Sequence, residues 1–177
     1  GYVGRIETDK GINELLMAFQ KTNNPDFALL MIGRFDDLRC DLDPEILKWA
    51  KSNENVIFHG FSCEIPKYMS AMDILVHPTY REGFSMVIQQ AMAMGCAIIT
   101  TNVPGPSEVI EKGKSGLLVP DRTIDELSEA MQQLGTDRKM REKFSAAGLE
   151  RVREYFERSK MLELTYENRL KMMNNEL

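Results

Sequence analysis

Two cations and a carboxylate stand in this sequence at places where a folded chain could hold an anion. Arg5 and Lys10 lie in Gly4-Arg5-Ile6-Glu7-Thr8-Asp9-Lys10-Gly11, directly before a stripe of apolar residues with helical period. A helix N-terminus offers unpaired N–H groups and a positive partial charge, so a loop bringing two cations to it suits an anion. Both could equally be solvated surface charges, and this loop alone leaves the two readings even. A second segment runs Pro78-Thr79-Tyr80-Arg81-Glu82-Gly83-Phe84-Ser85 and continues into Met86-Val87-Ile88-Gln89-Gln90-Ala91-Met92-Ala93-Met94-Gly95. Gly83 allows close backbone approach, and Ser85 can cap a helix while leaving its first amides free for a phosphate. Glu82 sits just outside that helix mouth, where a lone carboxylate is ordinarily a dipole partner. A third polar turn, Thr101-Asn102-Val103-Pro104-Gly105-Pro106-Ser107-Glu108, has its shape fixed by Pro and Gly. Glu108 reads equally as a cap of the short segment Pro106–Glu111 or as a ligand contact.

The elements around these turns say whether they can meet. Apolar, β-rich runs at Tyr2–Gly4, Phe27–Ile32, Asn55–His59, Ile74–His77, Ala97–Thr100 and Gly116–Val119 alternate with helical patterns near Lys10–Gln20, Pro44–Lys51, Glu64–Ser70 and Phe84–Met94. Ile12, Leu15, Leu16 and Phe19 form one stripe of 3.6-residue period. Ala28-Leu29-Leu30-Met31-Ile32 is apolar throughout, as a parallel strand covered on both faces requires. This order predicts an α/β fold: a doubly wound, Rossmann-like parallel sheet of about six strands with helices on both faces. Ligands of such sheets bind at the carboxyl ends of the strands, near the point where strand order reverses. All three polar turns follow strands. After Val119 only helices are expected: one opened by a Thr123-Ile124-Asp125-Glu126 capping box, one capped by Asp137, and one capped by Ser159 with Leu162, Tyr166, Leu170 and Met173 on one face.

Composition narrows the function classes. The 177 residues, 43% hydrophobic and 28% charged, describe one soluble globular domain. A net charge of -5 argues against a nucleic-acid surface. Cys40, Cys63 and Cys96 are odd in number and form no CxxC pair, which speaks for a reducing cytoplasm rather than disulfides or zinc. No signal peptide is visible, and no apolar run approaches the roughly 18 residues of a membrane span. The chain opens on Gly1-Tyr2-Val3-Gly4, the tail of a strand, which predicts one domain of a longer protein. His59 and His77 end two strands and read first as packed residues, with His77 the better functional candidate because it borders the Glu82 turn. Met86, Met92 and Met94 read as core filling, Cys96 as a buried residue at a strand start, and Gln89 and Gln90 as helix surface.

The motifs together resemble one family. Tyr2-Val3-Gly4-Arg5 with Lys10-Gly11, Ala71-Met72-Asp73-Ile74-Leu75-Val76-His77-Pro78, Glu82-Gly83-Phe84, Ala91-Met92-Ala93-Met94-Gly95, Pro104-Gly105-Pro106-Ser107-Glu108-Val109-Ile110 and Gly116-Leu117-Leu118-Val119-Pro120 are similar to family-four, or group one, retaining glycosyltransferases, in order from Gly1 to about Leu134. The resemblance implies the C-terminal, donor-binding half of a GT-B fold, with an N-terminal acceptor domain absent from residues 1–177. It implies that Arg5 and Lys10 hold the diphosphate of a nucleotide sugar, that of UDP by choice, and that Glu82 reaches hydroxyls of the transferred sugar. Gly83, Phe84, Ser85 and Met86 would line the distal phosphate. Protein cations would replace a metal, so no cofactor is expected. The implied activity is retaining transfer of a hexose to a glycan or lipid-linked acceptor in surface polysaccharide biosynthesis. The full-length protein would be cytoplasmic or peripheral at the inner membrane face, and this domain alone would be inactive.

One position departs from the family pattern. Where a second glutamate would bind ribose hydroxyls, eight residues after the first, this chain has Gln90. About six residues up the helix, or roughly 9 Å, matches the reach from sugar across diphosphate to ribose. An amide has one acceptor oxygen where a carboxylate has two. A non-catalytic nucleotide-binding relative is therefore the first rival reading. A dinucleotide-binding oxidoreductase is the second, although no GxGxxG opens the first helix and Gly33-Arg34, not an acid, ends the second strand.

Overall fold

A computed structural model describes residues 1–36 and 41–156. Six parallel strands form: β1 (Tyr2–Val3), β2 (Leu29–Ile32), β3 (Val56–Gly60), β4 (Ile74–His77), β5 (Ala97–Thr101) and β6 (Leu117–Val119). They pair as two three-stranded sheets, β1-β2-β3 and β4-β5-β6. Gly1 joins the two: its amino group donates to Ile74 O at 2.6 Å and its carbonyl accepts from Val76 N at 2.8 Å. The spatial order is thus 3-2-1-4-5-6, with the reversal between β1 and β4. That seam is the switch point at which doubly wound sheets bind ligands.

The wholly apolar strands are explained by their two covered faces. Successive side chains point to opposite sides. Met31, Val76 and Ile99 therefore enter one core cluster, while Ile32, Leu75 and Ile98 enter the other. The first cluster is closed by the stripes of α1 (Ile12–Thr22), α2 (Pro44–Ser52) and α6 (Asp125–Thr136). The second is closed by α3 (Ile65–Met69), α4 (Met86–Ala93) and α5 (Pro106–Val109). The long helix α7 (Arg138–Tyr155) contributes Phe144 to the first cluster and Val152 to the margin of the second.

Local chemistry sets the helix ends, and here some expectations change. Asp43 accepts from Glu45 N and Ile46 N at 2.8 and 3.2 Å with Pro44 behind it, and Asp137 caps Met140 N at 2.9 Å. The Thr123 capping box does not form. Ile124 occupies the N-cap position in αR geometry, and the Thr123 hydroxyl donates to Pro120 O at 3.0 Å, so the preceding turn has claimed it. The helix expected from Lys10 begins at Ile12, because a 3-10 turn, Thr8–Lys10, and an αL residue, Gly11, come first. The helix expected from Phe84 begins at Met86. The helix expected after Ser159 lies outside the described residues.

Two glycines decide how closely the loops after β1 and β5 can approach the loop after β4. Gly11 has φ 67, and a Cβ there would lie 2.1 Å from Pro78 O. Gly105 has φ 87, and a Cβ there would lie 1.9 Å from Gly83 O. The loops after β1 and β5 are thus both pressed on the loop after β4, at contacts no other residue permits. Gly113 has a similar φ of 73 with nothing within 4 Å of its Cβ position, and so serves as a control. Gly113→Ala should lower the free energy of unfolding by about 1 kcal/mol, the αL cost alone. Gly11→Ala should cost clearly more in urea denaturation; equal losses would show that the Pro78 contact yields freely.

Candidate functional site

The loops after β1 and β4 enclose a polar cavity of about 320 Å³ lined by Arg5, Glu7, Asp9, Lys10, Arg81, Glu82 and Gly83. The Thr8–Lys10 turn, stopped by Gly11, aims Lys10 across the seam at the β4 loop. Lys10 Nζ meets Glu82 Oε2 at 2.5 Å, with side chains 14% and 28% exposed, so water screens this pair less than a surface one. The Glu82 carboxyl is held down at about 2, first by the His77 imidazole and then by Lys10, against the opposing effect of partial burial. The His77 Nε2 lies 3.6 Å from Glu82 Oε2, too long for a hydrogen bond, so the Lys10 contact is the stronger anchor by geometry. His77 is nearly fully buried and stacks with Tyr2 at 6.3 Å between ring centroids. Neither of its nitrogens has a hydrogen-bond partner among the described residues. Of the two histidines, this one does border the carboxylate.

Arg5 lies at the other end of the cavity. It is 55% exposed and pairs with Glu7 at 3.1 Å and Asp36 at 3.2 Å. Glu7, 3% exposed, is a site residue that the sequence reading did not single out. Its available signal was Arg5 two positions earlier, since a buried carboxylate needs a charged partner. Asp9 and Arg81 were also passed over; they pair at 2.6 Å between the first and second loops. The Asp9 carbonyl accepts from Tyr80 N at 2.9 Å, binding the same two loops through the backbone.

The α4 residues divide. Gly83 lines the cavity, and Ser85 is buried at the N-cap without a side-chain capping bond, so the first-turn amides are not taken by a cap. Phe84 and Met86 are 44% and 59% exposed. Met86 and Met94 are therefore surface residues, not core fillers; only Met92 is buried. Gln89, expected on the surface, is buried, while Gln90 is exposed one residue further round the helix. The Glu108 carboxylate sits 3.5 Å from Gly105 N, a long capping contact that favours the structural reading of this residue. Cys96 is buried, as expected.

A second cavity, of about 630 Å³, shares Arg5 with the first and lies at the ends of β1, β2 and β3. Its lining is largely apolar, with Val3, Ile32, Phe35, Phe61 and Ile65. The Arg34 guanidinium stacks over the Phe61 ring at 4.4 Å, and Phe61 is half exposed.

Residues 1–151 match the family of glycosyl transferases, group 1. The chain belongs to that family. It is 32% identical over 158 residues to the capsular polysaccharide biosynthesis glycosyltransferase CapM of Staphylococcus aureus, covering 88% of this chain and 41% of the relative. It is 27% identical over 147 residues to the alpha-D-kanosaminyltransferase of Streptomyces kanamyceticus, covering 81% of this chain and 38% of that protein. The chain thus spans less than half the length of these curated relatives. Among solved structures, the C-terminal domain of a group 1 glycosyl transferase (LpcC) from Francisella tularensis superposes with a TM-score of 0.79 at 28% identity, covering 89% of this chain and 85% of that one. Anabaena Alr3699/HepE, solved in complex with UDP-glucose, shares the fold with a TM-score of 0.82 at 22% identity, covering 100% of this chain and 48% of that one. The oxidoreductase reading is set aside by this membership. Among the described residues no helix is long and apolar enough to cross a membrane.

The depressed Glu82 carboxyl has a measurable consequence. Between the ordinary value of 4.5 and about 2, the folded state keeps Glu82 ionised while the unfolded chain takes up a proton. Stability from this group is therefore complete above about pH 4.5 and is lost as the pH falls toward 2. Urea titrations of wild type and Glu82→Gln should show a stability difference that shrinks across that window. A difference independent of pH would mean that Glu82 is not held by charge.

Proposed function

We propose that this chain binds the donor, a nucleoside diphosphate sugar, in a retaining group 1 glycosyltransferase, and that Arg5, Lys10 and Glu82 do the polar work. The observation that carries this reading is their convergence in one cavity at the sheet switch point, beside an apolar cavity that shares Arg5. In this reading the base enters the apolar cavity against the Arg34–Phe61 stack, and the diphosphate crosses Arg5 and Lys10. The first-turn amides of α4, left without a side-chain cap, meet the distal phosphate. The ionised Glu82 accepts hydroxyls of the transferred sugar. When the bond from sugar to diphosphate breaks, its electron pair stays on the phosphate. Fixed cations stabilise that growing charge more in the transition state than in the ground state, which is what speeds the reaction. Protein cations would serve here without a metal.

UDP is the nucleotide we assign, supported by the UDP and UDP-glucose complexes of Anabaena Alr3699/HepE. Transfer of a hexose to a growing surface polysaccharide is supported by the likeness to CapM. The acceptor site belongs, in this proposal, to an N-terminal domain outside these residues, so the chain alone transfers no sugar. Peripheral attachment of the whole protein to the inner membrane face would bring it to a lipid-linked acceptor.

Calorimetric titration tests the site. Lys10→Ala should weaken UDP binding at least tenfold, on the order of 1.5–3 kcal/mol for a charge-assisted bond, and leave uridine binding nearly unchanged. Equal losses for both ligands would remove Lys10 from the diphosphate, and no UDP binding by wild type would remove the donor reading.

A second reading, a nucleotide-binding relative without turnover, is favoured by Gln90, exposed where the family pattern has its second carboxylate. Gln90→Glu would supply an acceptor for both ribose hydroxyls at little cost in helix propensity. The preference for UDP over its 2′-deoxyribose analogue should rise in this variant. The ratio cancels repulsion between the new charge and the diphosphate, so an unchanged ratio would place Gln90 away from the ribose.

A further inference from the structure

Arg122 is a non-glycine residue held at φ 59 in the turn between β6 and α6, a conformation that costs a side-chain-bearing residue free energy. Strain of this kind persists only where the surroundings over-determine it, and it often marks a functional contact. The contact here is Tyr80. The Arg122 guanidinium lies 3.9 Å above the centre of the Tyr80 ring. On its far edge the Tyr80 hydroxyl donates to Glu14 Oε1 of α1 at 2.7 Å, and the other Glu14 oxygen is buried without a partner. The Tyr80 amide donates to Asp9 O at 2.9 Å, and the Thr79 hydroxyl, which is nearer Arg81 O at 2.9 Å, lies 3.3 Å from the same Asp9 carbonyl. Tyr80 is thus fixed on three sides, by the β6–α6 turn, by α1 and by the loop after β1. It stands two residues before Glu82, and its amide grips the residue before Lys10.

We propose that Arg122 and Tyr80 form a clamp that sets the spacing of Lys10 and Glu82, so that Arg122 is a positioning residue of the site although it does not line the cavity. The geometry acts through the ring: a cation above one face and a carboxylate on the hydroxyl leave Tyr80 one place to lie. The Asp9 carbonyl is then fixed relative to Glu82. The turn accepts its strained backbone in order to deliver the guanidinium. The clamp itself rests on these contacts, and its effect on ligand affinity rests on the donor reading above.

Three variants of the 177-residue chain separate this from simple packing. Arg122→Gly removes both the cation and the strain, Arg122→Lys keeps a cation over the ring, and Tyr80→Phe keeps the ring and loses the Glu14 bond. Each is followed by thermal melting, by hydrogen exchange at the Tyr80 and Lys10 amides, and by UDP titration. Arg122→Gly should melt no lower than wild type, because glycine relieves the αL backbone. Its Tyr80 amide should nevertheless exchange faster and its UDP affinity fall, each by about three- to tenfold, the scale of a lost cation–π contact. Arg122→Lys should recover much of both, and Tyr80→Phe should resemble Arg122→Gly in affinity. A stable Arg122→Gly with unchanged exchange and unchanged affinity overturns the clamp. So does an affinity loss that merely follows a lowered melting temperature. If the amide responds as expected while wild type fails to bind UDP, the clamp stands and the donor reading falls.

Discussion

The Lys10–Glu82 contact is the interaction on which the arrangement of this domain's open edge depends. It spans the seam between two three-stranded sheets that are otherwise joined, strand to strand, by the two hydrogen bonds of Gly1. An ammonium and a carboxylate at 2.5 Å, both largely out of water, hold only if the backbones carrying them are fixed. That fixing is visible all around the pair. Gly11 lets the first loop rest on Pro78 and Gly105 lets the third rest on Gly83. The hydroxyls of Thr100 and Thr101 donate to the His77 and Thr79 carbonyls, securing the β4 end from below.

The seam explains why these residues, far apart in sequence, share one cavity. In a sheet ordered 3-2-1-4-5-6, the connections after β1 and β4 leave toward opposite faces, so their loops part and leave a crevice between them. Lys10 comes from one side of that parting and Glu82 from the other. A fold without the reversal would place both loops on the same face and close the gap. The family membership of the chain is thus expressed in topology as well as in residues.

Much of this was legible in the sequence because the determining signals are local. Strands apolar on both faces and the Ile12, Leu15, Leu16, Phe19 stripe specify a doubly wound sheet through burial alone. Arg5, Lys10 and Glu82 stood at strand ends, and topology brought them together. What escaped was decided by tertiary competition. The Thr123 hydroxyl has two possible partners, and the turn beside Arg122 captured it. Gln89 and Gln90 are identical in type, and only the exact start of α4 determines which is buried. Met86 and Met94 carry no charge to mark them as exposed. Glu7 carried one signal, Arg5 two positions earlier, but its burial is decided by the tertiary fold and not by its neighbours in sequence. Tyr80 gave no signal, since its partners lie in α1 and in the turn after β6.

The charge balance of the cavity bears on how selectively it can bind. Arg5, Lys10 and Arg81 face Glu7, Asp9 and Glu82, so the lining is neutral in sum, and each cation already has a carboxylate partner. A site of this kind does not draw in anions by net charge, as a cluster of unpaired cations would. An anion gains there only if it meets the donors left over by each ion pair, since an ammonium has three and a guanidinium five. Arg5 is the more exposed of the two candidate cations, although both Glu7 and Asp36 pair with it, whereas Lys10 is largely buried against a carboxylate held ionised well below its usual range. In the proposed reading this pairing is useful. A group shared between Lys10 and Glu82 must present an acceptor and a hydroxyl side by side, as a phosphate and the sugar it carries do.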